Sequence, residues 1–408
     1  MSLGEMTEEE LRSRVRALLE EAHPDRVDAF TFRGKQYDNG LAWVHFPEGY
    51  GGLGLNPKMQ AVVQDELRRN AETQHDDMML NPIGIGMGAP TVLTHGNEWM
   101  KRTLLRRIFT GEDIWCQLFS EPGAGSDVAG LSMRGVRDGD DWVLNGQKVW
   151  TSLAHVSKWG MLLARTDPDR PKHEGLSYFL LDMESPGVEV RPLHQITGEA
   201  EFNEVFLNDV RIPADRMLGA EGDGWRVAIT TLMNERTAIG GAVGRRGGGS
   251  IGILLELWNA RTPGSLSPAA EAVLRDRITQ LYIRSELLRF TSQRAKAAQK
   301  TGNPGPEGSV GKLALAELNQ RIWECGMDVL GTDSLVYEAG YRRRRPAGES
   351  RTGRLALAKY QFLRSRANSI EGGTSEVMRN ILGERVLGLP GEPRPDKGVP
   401  WKDVPRSA

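Results

Sequence analysis

Two glutamates pose the question of a catalytic base. Glu235 follows the apolar run of "TLMNERTAIGGA" and is itself followed by Arg236, while Glu371 sits against two glycines in "SIEGGTSEVMRN". On an ordinary helix such an acid is exposed and paired to a nearby arginine. Buried against an apolar substrate, its pKa rises toward operating pH and it becomes a general base. A third stretch, "QLFSEPGAGSDVAG" (Gln117 to Gly130), sets closely spaced glycines before Ser126 and Asp127. Its backbone N–H groups can face a flat or anionic ligand with no side chains in the way. No spacing of His, Cys and acid suggests a metal.

These residues need a large scaffold. At 408 residues the chain is expected to form two or three packed units. A net charge of −2, seven His and two Cys argue against nucleic acid as the main partner and against a disulfide framework. No apolar run is long enough to span a bilayer, and the opening "MSLGEMTEEELRSR" lacks an apolar signal core. The expectation is a soluble, cytoplasmic protein with no membrane contact.

Periodicity divides the chain in the order α, β, α. Residues 1–113 read as helical: Thr7 and Glu10 form a capping box ahead of Leu11, Val15, Leu18 and Leu19, and Asn56 caps a second start at Pro57. Residues 114–217 read as a β domain of short strands, with Asn145-Gly146 in "WVLNGQKVW" expected as a hairpin turn. Residues 218–392 read as a helical bundle. Leu274, Ile278, Leu281, Ser285 and Leu288 form the stripe on which packing, and assembly of subunits through this domain, would rest. Residues 393–408, ending "VPWKDVPRSA", read as a loose polar tail. "GIGMGAP" fits a helix-packing turn, and "YRRRRPAG" a solvated or intersubunit face.

Six stretches resemble one family. "FPEGYGGLGL", "GAPTVLTHGNEWMKRTLL", "EPGAGSDVAGL", "LNGQKVWTS", "DVRIPADRMLGAEGDGW" and "GGTSEVMRNILGERVLGLP" occur in the order found in acyl-CoA dehydrogenases, and the resemblance covers nearly the whole chain. It implies an α+β multidomain fold with an all-α first domain, a β-barrel or sandwich middle domain and a C-terminal four-helix bundle. It also implies FAD, held between the middle domain and the last helices. Carried over by matching segments, Gln117, Phe119, Ser120 and Ser126 line the flavin; Trp150 covers a ring face, with Thr151 beside it, and the Ser152 region bonds the flavin edge. Thr374 and Glu376 match further FAD contacts, and Ser126, Arg236 and Gly373 match the substrate side.

The implied reaction converts an acyl-CoA thioester to the trans-2-enoyl thioester. The flavin does the redox work, the protein supplies base and orientation, and an electron-transfer flavoprotein takes the electrons. A homodimer or homotetramer is the implied assembly. Gly372, not Glu371, aligns with the base of many members, whereas Glu235-Arg236 matches the base of long-chain and isovaleryl-type members. Glu235 is therefore the expected base, with Glu371 as the alternative. If the stretch opened a helix, the one-residue offset would turn Glu371 by about 100°. Two departures stand out. Arg261 is the nearest arginine where members carry one for the FAD pyrophosphate, and Asp328 replaces a glutamine. Two other readings stay open on this fold: a flavin oxidase or monooxygenase, and a catalytically silent subunit of a heteromeric complex.

Overall fold

The computed structural model describes residues 6–71, 81–240, 245–262, 264–299, 307–337 and 354–405; for 235–240, 296–299, 307–308 and 354–356 it describes backbone alone. The chain clusters into two compact units. One comprises Met1–Arg191, Asn203–Asn234 and Gly398–Ala408, and the other Pro192–Phe202 and Glu235–Lys397.

The first unit opens on capped helices, of which the caps at Thr7 and Asn56 were expected. Thr7 and Glu10 close a reciprocal capping box on α1 (Glu8–Glu21), and Asp28 accepts from the amides of Phe30 and Thr31 to start α2 (Ala29–Asp38). Asn56 caps a 3₁₀ turn that runs into α3 (Gln60–Asn70). Leu11, Val15, Leu18 and Leu19 then bury against Val62, Val63 and Phe32. The "GIGMG" stretch forms a π-helical turn, Gly84–Gly88, leading into α4 (Ala89–His95) and on to α5 (Glu98–Thr110). A Cβ on Gly88 would lie 3.0 Å from the Trp115 ring, so glycine lets this helix approach the first strand.

Eight strands make one sheet: β1 (Trp115–Leu118), β2 (Arg134–Asp138), β3 (Asp141–Ser152), β4 (Trp159–Arg165), β5 (Leu176–Asp182), β6 (Val188–Leu193), β7 (Phe202–Pro213) and β8 (Met217–Leu218). Their order is β6-β7-β3-β2-β4-β5-β8, with β1 parallel to β4. Strand alternation splits the side chains between two cores. Met161, Leu163, Tyr178 and Leu180 face the helices, with Val227 and Ala228 of α6 (Gly224–Gly240), while Leu162, Ala164, Phe179 and Leu181 join Trp142, Leu144, Val205 and Leu207. A sheet buried on both faces leaves little room for charged residues, and Lys148 and Arg165 inside it are both hydrogen-bonded.

Two expectations fail in this unit. Asn145-Gly146 is not a turn. Asp138 pairs with Asp141, which puts Gly139-Asp140 at the hairpin tip with Gly139 at φ +63°, and Asn145 and Gly146 continue within β3. Asn145 instead exchanges two hydrogen bonds of 2.9 Å with Asp209, and a Cβ on Gly146 would lie 3.0 Å from Met133 Cα. Nor is the tail loose from residue 398 on, because Trp401 and Lys402 donate backbone hydrogen bonds to Arg170 and Pro168.

The second unit is a helical bundle: α7 (Ser250–Ala260), α8 (Pro268–Gln299), α9 (Glu307–Leu330), α10 (Arg354–Arg364) and α11 (Ser375–Arg385). The α8 stripe is its core, since Ile278, Leu281 and Leu288 bury against Leu254, Ile322 and Trp323. That stripe is therefore unavailable for assembly. The apolar residues α8 leaves outward are Val273, Ile283, Leu287 and Phe290. Among the described residues no helix is long and apolar enough to cross a membrane. "YRRRRPAG" lies outside the described residues. Leu281→Ala should lower stability by about 2–5 kcal/mol, the cost of a poorly collapsing core cavity. A urea-midpoint shift worth under about 0.5 kcal/mol would show that Leu281 is not in a packed core.

Candidate functional site

The loop after β1 is pinned from inside by two charges. Lys148 is fully buried because it falls on the same face of β3 as Trp142 and Leu144. Its ammonium donates to Glu121 Oε1 at 2.9 Å and to the Phe119 carbonyl at 3.0 Å. Glu121 also accepts from the Ser132 amide (2.7 Å), the Ser132 hydroxyl (2.8 Å) and the Met133 amide (2.9 Å). Burial alone would raise the Glu121 pKa, but Lys148 and these donors outweigh it and hold the carboxyl below its ordinary range. The Val149 amide donates to the Ser120 carbonyl at 2.9 Å, fastening the loop to β3 again. Sequence reasoning singled out neither charge. The available signal was a lysine on the apolar phase of a strand.

Beyond Glu121 the backbone turns sharply, with Glu121 and Ala124 exchanging both hydrogen bonds at 3.0 Å. A Cβ on Gly123 or Gly125 would meet nothing of the chain within 4 Å, and neither glycine is left-handed. Nothing in the protein's own packing requires glycine there, whereas a flat ligand laid on the loop would. Ser126 is exposed on this loop, Gln117 and Ser120 are half-buried, and Phe119 is a core side chain set edge-on to Tyr178 at 5.7 Å.

At the end of β3 the alternation breaks. Trp150 has φ +59°, an outlier for a bulky residue, and its ring is 61% exposed although its parity should bury it. Thr151 takes the inward place instead. Its carbonyl accepts from Asn203 at 3.0 Å, and its buried Oγ1 has no hydrogen-bond partner. Ser152 is half-buried. The two candidate stretches thus lie side by side, joined through Ser120, Val149 and Lys148.

In the second unit, Glu371 is not on a helix. Gly372 (φ +64°) and Gly373 (φ +95°) separate it from α11, which Thr374 caps by accepting from the Val377 amide. The helical rotation argument therefore does not apply. What holds Glu371 is a two-pronged pair with Arg364 at 3.1 and 2.7 Å and a 2.8 Å bond from Asn368. Lys312 clamps the Asn368 and Gly373 carbonyls, and Glu376 is exposed beside Arg379. Asp328 pairs with Arg277 across α9 and α8, and Arg261 lies 3.6 Å from Glu271 and over the Trp258 ring. Glu235 and Arg236 are on α6, one turn after Thr231, which bonds Thr91 and Tyr178 at 3.0 Å; their side chains lie outside the described residues.

Comparison with known proteins decides the family. Residues 2–112, 116–210 and 222–387 match the N-terminal, middle and C-terminal domains of acyl-CoA dehydrogenases. The acyl-CoA dehydrogenase FadE34 of Mycobacterium tuberculosis is 40% identical over 354 residues, 86% of this chain and 45% of that protein. The acyl-CoA dehydrogenase IpdE1 of the same organism is 38% identical over 86% of each chain. The chain belongs to the acyl-CoA dehydrogenase family. Among solved structures, the ChsE4-ChsE5 complex from Mycobacterium tuberculosis is similar, with a TM-score of 0.69 and 27% identity over 96% of this chain and 100% of that one. The Tcur3481-Tcur3483 steroid ACAD is similar too, with a TM-score of 0.69 and 26% identity over the same shares. Members of this family are FAD-dependent oxidoreductases acting on acyl-CoA, and FAD is the cofactor that membership brings. The unshielded glycines and the outward Trp150 fit a flat ring system.

Two outcomes are expected. Gly125→Val should leave the unfolding free energy of the flavin-free protein within about 0.5 kcal/mol of that of the flavin-free parent, while the variant as purified loses its flavin absorbance; full flavin content would overturn the reading of the loop. Glu121→Gln leaves Lys148 buried and unpaired and should cost about 3–5 kcal/mol near neutral pH. A lowered folded pKa means that the Glu121 contribution is present above the ordinary glutamate value, about 4.3, and is lost as pH falls through the lower folded value. The gap between parent and variant urea midpoints should therefore shrink on acidification, and a constant gap would contradict it.

Proposed function

We propose that this acyl-CoA dehydrogenase converts a saturated acyl-CoA thioester to its trans-2-enoyl product with Glu235 as base, passing electrons to an electron-transfer flavoprotein in the cytoplasm. The observation that carries the choice of base is the Arg364 and Asn368 grip on Glu371. A carboxylate whose two oxygens are both engaged by fixed donors is aimed at those donors and not at a substrate carbon. Glu235 takes the α proton, Arg236 acts on the substrate side, and Ser126 and Gly373 orient the thioester. Gln117, Phe119, Ser120, Ser126, Trp150, Thr151 and Ser152, with Thr374 and Glu376, would hold FAD. FAD supplies the acceptor for the hydride that leaves the β carbon.

Of the similar structures, one is a ChsE4-ChsE5 complex and one is a steroid ACAD. A bulky, ring-bearing acyl group is accordingly the proposed substrate class. Assembly is proposed through the outward residues of α8. Ile283, Leu287 and Phe290 repeat at helical spacing, and a second copy presenting the same stripe would cover them in a homodimer or homotetramer.

Glu235→Gln should lower turnover at least about 10²-fold with FAD retained, and Glu371→Gln much less. Bleaching of the bound flavin by a panel of straight-chain, branched and steroid-ring CoA thioesters reads both the base and the substrate class. The reverse ranking moves the base to Glu371. Peroxide release with oxygen uptake would replace the electron-transfer flavoprotein by direct oxidation, and full bleaching in neither variant nor parent would leave the silent-subunit reading. Leu287→Asp should shift light scattering toward the 45.1 kDa monomer; an unchanged assembly would put the interface elsewhere.

A further inference from the structure

The last described residues return to the first unit and end against the candidate loop. Pro400 bridges Pro171, the Trp401 amide donates to the Arg170 carbonyl at 2.8 Å, and the Lys402 amide donates to the Pro168 carbonyl at 3.0 Å. Lys402 also pairs with Asp169. These contacts place the Trp401 indole beside residues 129–131. Its Nε1 donates to the Gly130 carbonyl at 3.2 Å, and the Arg165 guanidinium lies 4.7 Å from the ring centroid. Arg165, itself buried, donates to the Ala129 carbonyl at 2.6 Å, the Leu131 carbonyl at 3.3 Å and the Lys172 carbonyl at 2.7 Å.

Three consecutive carbonyls of the loop, at 129, 130 and 131, therefore each accept from outside it. Two are held by Arg165 and the middle one by the C-terminal tail. Lys172 adds a 2.9 Å ion pair to Asp127. The Glu121-Lys148 pair fixes the start of the loop, and this cluster fixes its end. Ser126 lies between the two anchors, in the part of the loop that faces solvent.

We propose that Trp401 is a positioning residue, through which the C-terminal tail sets the path of residues 126–131 and thereby the affinity of this loop for the CoA thioester. The proposal rests on reading the loop as ligand-binding. If tail and loop are coupled, the coupling is reciprocal: occupancy of the loop must also hold the tail down.

The test uses full-length holoprotein and coenzyme A as probe. Trp401→Phe keeps a ring for Arg165 and loses the N–H; Trp401→Ala loses both. Both should speed hydrogen exchange at the Gly130 and Leu131 amides without changing exchange along β3 or flavin content. The dissociation constant for coenzyme A should rise about 5-fold in the Phe variant, as for the loss of one hydrogen bond, and further in the Ala variant. In the parent, coenzyme A should slow trypsin cleavage after Lys397 and Lys402, and Trp401→Phe should weaken that protection. Unchanged exchange at 130–131 in the Phe variant overturns the proposal by itself. Faster exchange there with unchanged affinity overturns instead the reading that the loop binds the thioester. Should Trp401→Ala fail to fold, the Phe variant and the protection assay still decide.

Discussion

Everything proposed for the loop depends on a charge pair that the sheet would not accept unpaired. Lys148 has no exposed surface and Glu121 almost none, so neither could be buried without the other. Their role goes beyond mutual neutralisation. Glu121 takes amides from Ser132 and Met133, and Lys148 takes the Phe119 carbonyl, so the pair ties three chain segments at one point. A hydrophobic pair of the same volume could fill that space but could not fix those backbone groups. The charges are better understood as determinants of loop geometry than as a source of stability.

The glycines and Trp150 make sense on that anchored frame. Lys148 and Trp150 have the same strand parity, so plain alternation past Lys148 would turn the tryptophan ring inward. The left-handed backbone at Trp150 reverses that step, and the ring stands outward with Thr151 inward. The buried pair anchors β3 up to Lys148, so the reversal falls just beyond the anchored residues.

Repetitive local physics was legible in the sequence. Caps at Thr7 and Asn56 follow from side-chain oxygens ahead of apolar stripes, and the inward face of α8 follows from its spacing. Context-dependent features were not legible. Asn145-Gly146 carries the strongest short turn signal in the chain, yet the strand runs through it because Asn145 pairs with Asp209 from β7 and Met133 packs on Gly146. The tail reads as polar and loose because its one large apolar residue, Trp401, finds its partners some 270 residues earlier. In the candidate site, the loop and the β3 segment were recognisable as motifs, but the residues fastening them together were not. Lysine on a strand and glutamate before a proline signal solvent unless their pairing is known.

The same distinction governs the acids of the second unit. Asp328 in place of glutamine looked like a repulsive charge next to a phosphate, but it is exposed and paired with Arg277 from the neighbouring helix. Glu371 looked like a base displaced by one residue, and Arg364 satisfies it similarly. In both cases an arginine on an adjacent element gives the acid a fixed partner that the local sequence does not announce. For Glu371 both carboxylate oxygens are engaged, Oε1 by Arg364 and Asn368 and Oε2 by Arg364, so the side chain is aimed into its own unit.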